Sequence, residues 1–125
     1  MNKELFIIDN ALDETEFRNY VSALLIKNGY KDVNIDDPRL INGMEYDDND
    51  MTAKKGNKKY TIQTYLNTNI SEVELDDAID DMEDEGADSA LIITNFYCTK
   101  KIKDLAEDKN IEIIDREKLE QMMEK

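Results

Sequence analysis

The sequence predicts one α/β domain built on a central mixed β-sheet flanked by helices. Three observations carry this expectation. The chain has 125 residues, one domain's worth, enough to bury a core without disulfide or metal support. Apolar residues recur at helical spacing in four segments and at strand spacing between them. An antiparallel hairpin comes first, and strands then alternate with helices, so later strands become parallel neighbours through crossover connections.

Residues 1–12 form an N-terminal arm or edge strand around Leu5–Ile8, and 13–125 form the domain. Asp13 opens the first helix with Glu16 at its capping-box position. Phe17, Tyr20, Val21, Leu24 and Leu25 make its apolar stripe, and Gly29 ends it. Lys31–Ile35 reads as a short strand, followed by the turn Asp36-Asp37-Pro38. Asp50–Lys54 and Lys59–Leu66 read as hairpin strands about Lys55-Gly56-Asn57-Lys58. Strand alternation puts Tyr60, Ile62, Thr64 and Leu66 on one side, and Thr61, Gln63 and Tyr65 on the other.

Ser71 caps the next helix with Glu74 as its box partner; Leu75, Ala78, Ile79 and Met82 face inward, and Gly86 stops it. Ala90–Thr94 is apolar throughout, as a strand covered on both faces is. Thr99 caps a helix bearing Ile102, Leu105 and Ala106; Ile111–Ile114 is the last strand. Asp115 caps a closing helix with Leu119, Met122 and Met123 inward. The expected core is Phe17, Val21, Leu24, Leu25, Ile62, Leu75, Ile79, Leu91, Ile93, Ile102, Leu105, Ile113 and Leu119.

Charge narrows the function. Thirty acids against sixteen bases leave a formal charge of −14, which repels phosphate backbones and anionic membranes. Tyr60 to Thr99 holds no Lys or Arg, while Glu72–Asp88 holds ten acids. No apolar run approaches the roughly 20 residues needed to cross a bilayer, and no secretory leader is visible near Met1. A lone Cys98 excludes an internal disulfide and fits a reducing cytoplasm. With no histidine, a Ser-His-Asp triad or a His-based zinc site is excluded.

Five segments, in order, resemble the Mrr-like (type IV restriction endonuclease) domain of the PD-(D/E)xK nuclease superfamily. Phe17 to Tyr30, with Leu24-Leu25 and Gly29-Tyr30, is similar to the family's first helix. Gly56 to Gln63 resembles the hairpin entering its "VQxK" strand, and Gly86 to Thr94 its "GADxGIIVT" strand. Phe96 with Thr99–Ala106, and Ile111–Leu119, resemble the remaining helix and the closing strand and helix. The resemblance implies a restriction-endonuclease-like three-layer fold. For active members it also implies an Asp, a Glu or Gln, and a Lys two residues later, gathered around a divalent cation such as Mg2+. The cation lowers the pKa of a bound water and offsets charge on the phosphate.

Carried over residue by residue, the family's Asp falls on Asp50, its Gln on Gln63, and its Lys on Tyr65. A phenol with a pKa of about 10 is neutral at working pH and supplies no fixed positive charge. Arg18 stands where the first helix of active members offers a Glu, and Tyr46-Asp47-Asp48-Asn49-Asp50 lacks the family's glycines. The expectation is therefore a degenerate active site and no resident cofactor. The alternative is a Mg2+-dependent endonuclease in which Lys58 or Lys59 replaces the missing Lys and Asp50 still holds metal.

The other expectation is a partner. Asp77, Asp80, Asp81 and Asp84 follow i, i+3, i+4 and i+7 spacing, a ridge of like charge. Such a ridge fits a basic protein surface better than DNA, as in a protein-binding, regulatory or DNA-mimicking inhibitor module; a dimer is open. A solvated face is the plainer reading. Asp47–Asp50 lacks the EF-hand order. Cys98 has Lys100-Lys101 nearby, which would lower a thiol pKa, but it reads as a structural thiol.

Overall fold

The computed structural model describes residues 14–35, 39–41, 44–46 and 51–123. Its elements in chain order are α1 (Glu14–Lys27), β1 (Lys31–Ile35), β2 (Arg39–Ile41), β3 (Met44–Tyr46), β4 (Met51–Lys55), β5 (Lys58–Tyr65), α2 (Glu72–Glu85), β6 (Ser89–Thr94), α3 (Lys100–Asp108), β7 (Ile111–Ile114) and α4 (Arg116–Met123). Five strands form one sheet in the order β1-β4-β5-β6-β7. β1, β4 and β5 pair antiparallel, whereas β5, β6 and β7 pair parallel. This is the expected mixed sheet.

Strand alternation feeds two cores, one on each face. Phe17, Val21, Leu24 and Leu25 of α1 meet Met51, Ile62, Leu91, Ile93 and Ile114 of the sheet and Leu119, Met122 and Met123 of α4. On the other face Leu75 and Ala78 of α2 and Ala106 of α3 cover Ala90, Ile92 and Ile111. β6 is buried along almost its whole length because helices lie on both sides of it, which explains its unbroken apolar sequence.

Four expected core residues come out differently. Ile79, Ile102, Leu105 and Ile113 are only partly buried and pack on the rim of the second core. β7 is an edge strand, so the helix and strand there are covered from one side only. The short hairpin β2–β3 was not expected; three-residue strands carry too little alternation to be read as such. The Leu5–Ile8 arm, the Asp13 cap and Asp50 lie outside the described residues.

Local chemistry sets the ends of the elements. Glu74 reaches back from α2 to accept from the Ser71 backbone N–H at 3.2 Å and from its hydroxyl at 3.0 Å. Gly86 takes φ 63° at the C-terminus of α2, a left-handed conformation that glycine adopts without Cβ strain. The Thr99 hydroxyl accepts from the Ile102 N–H, capping α3. Asp115, 1% exposed, accepts from the N–H groups of Cys98 and Lys118 and pairs with Lys103 Nζ at 2.9 Å. One carboxylate thus joins the loop after β6, α3 and the start of α4.

Candidate active site

Three polar side chains on β5, Thr61, Gln63 and Tyr65, alternate onto the α2 face. The Tyr65 hydroxyl donates to Gln63 Oε1 at 2.7 Å. Gln63 Nε2 in turn donates to the Asp81 carboxylate on α2. The shared face of Gln63 and Tyr65 is as expected from strand periodicity. Asp81 was expected in an outer ridge; here it turns toward the sheet and is half-buried. Asp77, Asp80 and Asp84 are exposed.

The end of the site is fixed by an amide pair. Asn95 accepts from the Asn67 N–H at 2.7 Å and donates its own amide to Asn67 Oδ1 at 2.9 Å. Asn67 has φ 56°, a left-handed conformation for which Asn is among the best suited non-glycine residues. Thr94 adds a bond from its hydroxyl to Thr68 O at 3.2 Å. These contacts tie together the C-terminal ends of the parallel strands β5 and β6, directly beyond Tyr65. The sequence reading missed them, and two Asn residues 28 positions apart give no local signal.

The two lysines considered as substitutes lie at the opposite end of β5. Lys59 Nζ donates to Glu85 O at 2.9 Å and pairs with the Glu85 carboxylate at 3.7 Å. Four residues of strand separate it from Gln63, roughly 13 Å, and its ammonium is directed to the C-terminus of α2. Lys58 is exposed beside the hairpin turn. Arg18 belongs to α1, on the other face of the sheet from Gln63, and is 7% exposed.

For the divalent cation of family chemistry, the described oxygen donors near Gln63 are already engaged with one another. Gln63 Oε1 receives Tyr65, and Asp81 receives Gln63. Among the described residues no cluster of three His, Cys, Asp or Glu side chains is placed to hold a metal. These residues do not make up a cation shell, and Asp50 lies outside them. The described set holds a run of hydrogen bonds from Tyr65 through Gln63 to Asp81.

Cys98 behaves differently from a reactive thiol. Burial pushes its pKa up to about 11, the Asp115 charge adds to this, and Lys103 opposes it. The lysines adjacent in sequence do not lower it. Burial alone would raise the Asp115 carboxyl. Hydrogen bonds from the Cys98 N–H, Lys103 and the Lys118 N–H, with the Lys103 charge, instead hold it below the usual carboxylate value.

A five-stranded mixed sheet between helix layers, with Gln63 and Tyr65 on the second strand of its hairpin, defines the restriction-endonuclease class of fold. The chain belongs to the Mrr_cat restriction endonuclease family, which it matches over residues 9–123. Among solved structures it is similar to the DNA modification-dependent restriction endonuclease AspBHI, with a TM-score of 0.65 over 96% of this chain at 10% identity. It spans 32% of that protein's chain. No curated protein matches it. Among the described residues, no helix is long and apolar enough to cross a membrane.

Proposed function

We propose that this domain retains the fold of its nuclease family without cutting DNA, and works in the cytoplasm as an acidic protein-binding, regulatory module. Tyr65 carries this reading: at the position of the family's Lys, a neutral phenol donates a hydrogen bond to the neighbouring Gln63 Oε1. Phosphoryl transfer needs positive charge where negative charge builds. Loss of one such stabilising group typically costs several kcal/mol, hence two or more orders of magnitude in rate.

The binding surface is the outer face of α2, where Asp77, Asp80 and Asp84 are exposed. Like charges at helical spacing cost a few tenths of a kcal/mol per pair, a cost that mixed signs on the surface would avoid. A basic protein surface would offset it, and mimicry of DNA phosphates is a special case of the same reading. The test is titration with a fluorescent oligolysine peptide. Binding should weaken as salt rises, and should fall when Asp77, Asp80 and Asp84 are changed together to Asn. Equal binding by the two proteins would overturn this half of the reading.

Family membership favours a second reading, a metal-dependent DNA endonuclease with a relocated Lys. Lys58 or Lys59 would then have to leave the end of β5 that they now occupy. Lys58→Ala and Lys59→Ala, singly and together, separate the readings: a nuclease of this kind would lose its Mg2+-dependent cutting in the double variant, whereas the first reading has no cutting to lose.

A further inference from the structure

A second polar cluster lies at the far end of β5 from Tyr65, on the α1 face of the sheet. Register places Lys55 opposite Lys58, and Tyr60 opposite Ala53 of the first core. In the parallel half, Ser89 is the partner of Tyr60, and Glu112 is the partner of Leu91. Strand alternation keeps all of these on one face. Lys55 Nζ sits 4.7 Å from the centre of the Tyr30 ring, and Tyr30 meets Tyr60 edge-on with ring centres 5.7 Å apart. The Glu112 charge reaches the same place: it follows burial in raising the Tyr30 hydroxyl to about 12.

A cavity of about 470 Å3 opens on this cluster, lined by Lys58, Tyr60, Ser89 and Glu112, with Asn110 just before β7. Small-molecule sites span about 300–1,000 Å3. Lys103 and Glu107 of α3 border the other side, where Lys103 is already paired with Asp115.

Charge is graded along the cluster. The hairpin segment 54–59 holds four lysines and no acid. Directly opposed like charges destabilise a sheet, and Lys55 and Lys58, both exposed, are such a pair. An anion between them would offset that repulsion. Tyr60 then offers a ring to stack on, and the exposed carboxylate of Glu112 accepts hydrogen bonds but donates none. A fitting ligand therefore has an anionic group, a flat ring and an amino donor, in that order.

We propose that this cavity binds a free nucleotide with an amino-bearing base, such as adenosine monophosphate. Its phosphate lies at Lys55 and Lys58, its base on Tyr60, and its amino group at Glu112. The site is independent of the acidic face of α2. A free nucleotide suits it better than a nucleic-acid strand, because each further phosphate adds repulsion against a domain of −14.

Chemical-shift titration of the isotope-labelled full chain with adenosine monophosphate, adenosine and ribose phosphate tests each part. The nucleotide should bind with a Kd below about 1 mM, and each fragment more weakly. Lys55→Ala/Lys58→Ala should weaken the nucleotide and ribose phosphate by roughly fivefold and leave adenosine unchanged. Tyr60→Leu should weaken the nucleotide and adenosine by roughly tenfold and leave ribose phosphate unchanged. Glu112→Ala should weaken the nucleotide but not ribose phosphate. Tyr60 packs against the first core, so if Tyr60→Leu does not fold, the variants at the exposed lysines and Glu112 decide.

No binding at millimolar nucleotide, or binding that the lysine and Glu112 variants leave unchanged, would overturn the inference. Ribose phosphate binding as tightly as the nucleotide would reduce the site to paired lysines that collect anions, and would overturn it too. So would an adenosine oligonucleotide that binds more tightly than the nucleotide and loses this in Lys55→Ala/Lys58→Ala, which would assign the cavity to a nucleic-acid strand.

Discussion

Tyr65 and Gln63 are bound to each other: the phenol donates to the amide oxygen over 2.7 Å. From Gln63 the run of hydrogen bonds continues to the Asp81 carboxylate on α2; in the proposed reading, Tyr65 occupies the place of the family's Lys. Tyr65→Phe keeps the ring and removes the donor. It should cost about 1 kcal/mol, read in chemical denaturation as a lower midpoint with an unchanged slope.

Asp115 makes stability depend on acid. Its folded pKa lies below the ordinary value, so its contribution is complete above about pH 4, the unfolded value. It is lost as pH falls through the folded pKa. Asp115→Ala should cost about 2–4 kcal/mol at neutral pH, because it removes a helix cap and a buried carboxylate with its ion partner. The difference from wild type should shrink in acid unfolding below about pH 4.

Cys98 should be slow to alkylate. With its pKa pushed up to about 11 by burial first and the Asp115 charge second, little thiolate exists at pH 8. Iodoacetamide should react roughly two orders of magnitude more slowly with the folded protein than with the same chain in denaturant. Rates that match in the two states would refute the burial argument.

Thr61 is 3% exposed and its hydroxyl has no hydrogen-bond partner among the described residues. Removing an unsatisfied buried polar group while keeping the shape is close to neutral or stabilising. Thr61→Val should change stability by about 0 to +1 kcal/mol, measured by thermal or denaturant unfolding. A loss of about 2 kcal/mol would mean that the hydroxyl has a partner in solution.

Much of this fold was legible because its elements announce themselves locally. The α1 stripe from Phe17 to Leu25, the Lys55–Lys58 turn and the Ser71/Glu74 cap each have a period or a spacing that one segment carries alone. So did the shared face of Gln63 and Tyr65, since a strand has a period of two. Other features depend on neighbours distant in sequence. A helical period puts Asp81 on an acidic flank but does not say that Gln63 lies beneath it. Asn67 and Asn95 meet only because β5 and β6 are parallel neighbours. Ile102 and Leu105 were over-read as core: their spacing shows an apolar stripe, not how completely an edge strand covers it.

The central claim is that the domain has the nuclease fold without the cutting reaction. The most direct measurement incubates the purified full chain with supercoiled plasmid and Mg2+ or Mn2+, beside Asp50→Ala and Tyr65→Lys. The plasmid should remain supercoiled with the wild type. Tyr65→Lys alone should not restore cutting, since Arg18 and the glycine-free approach to Asp50 remain. Metal-dependent nicking by the wild type that disappears in Asp50→Ala would contradict the account.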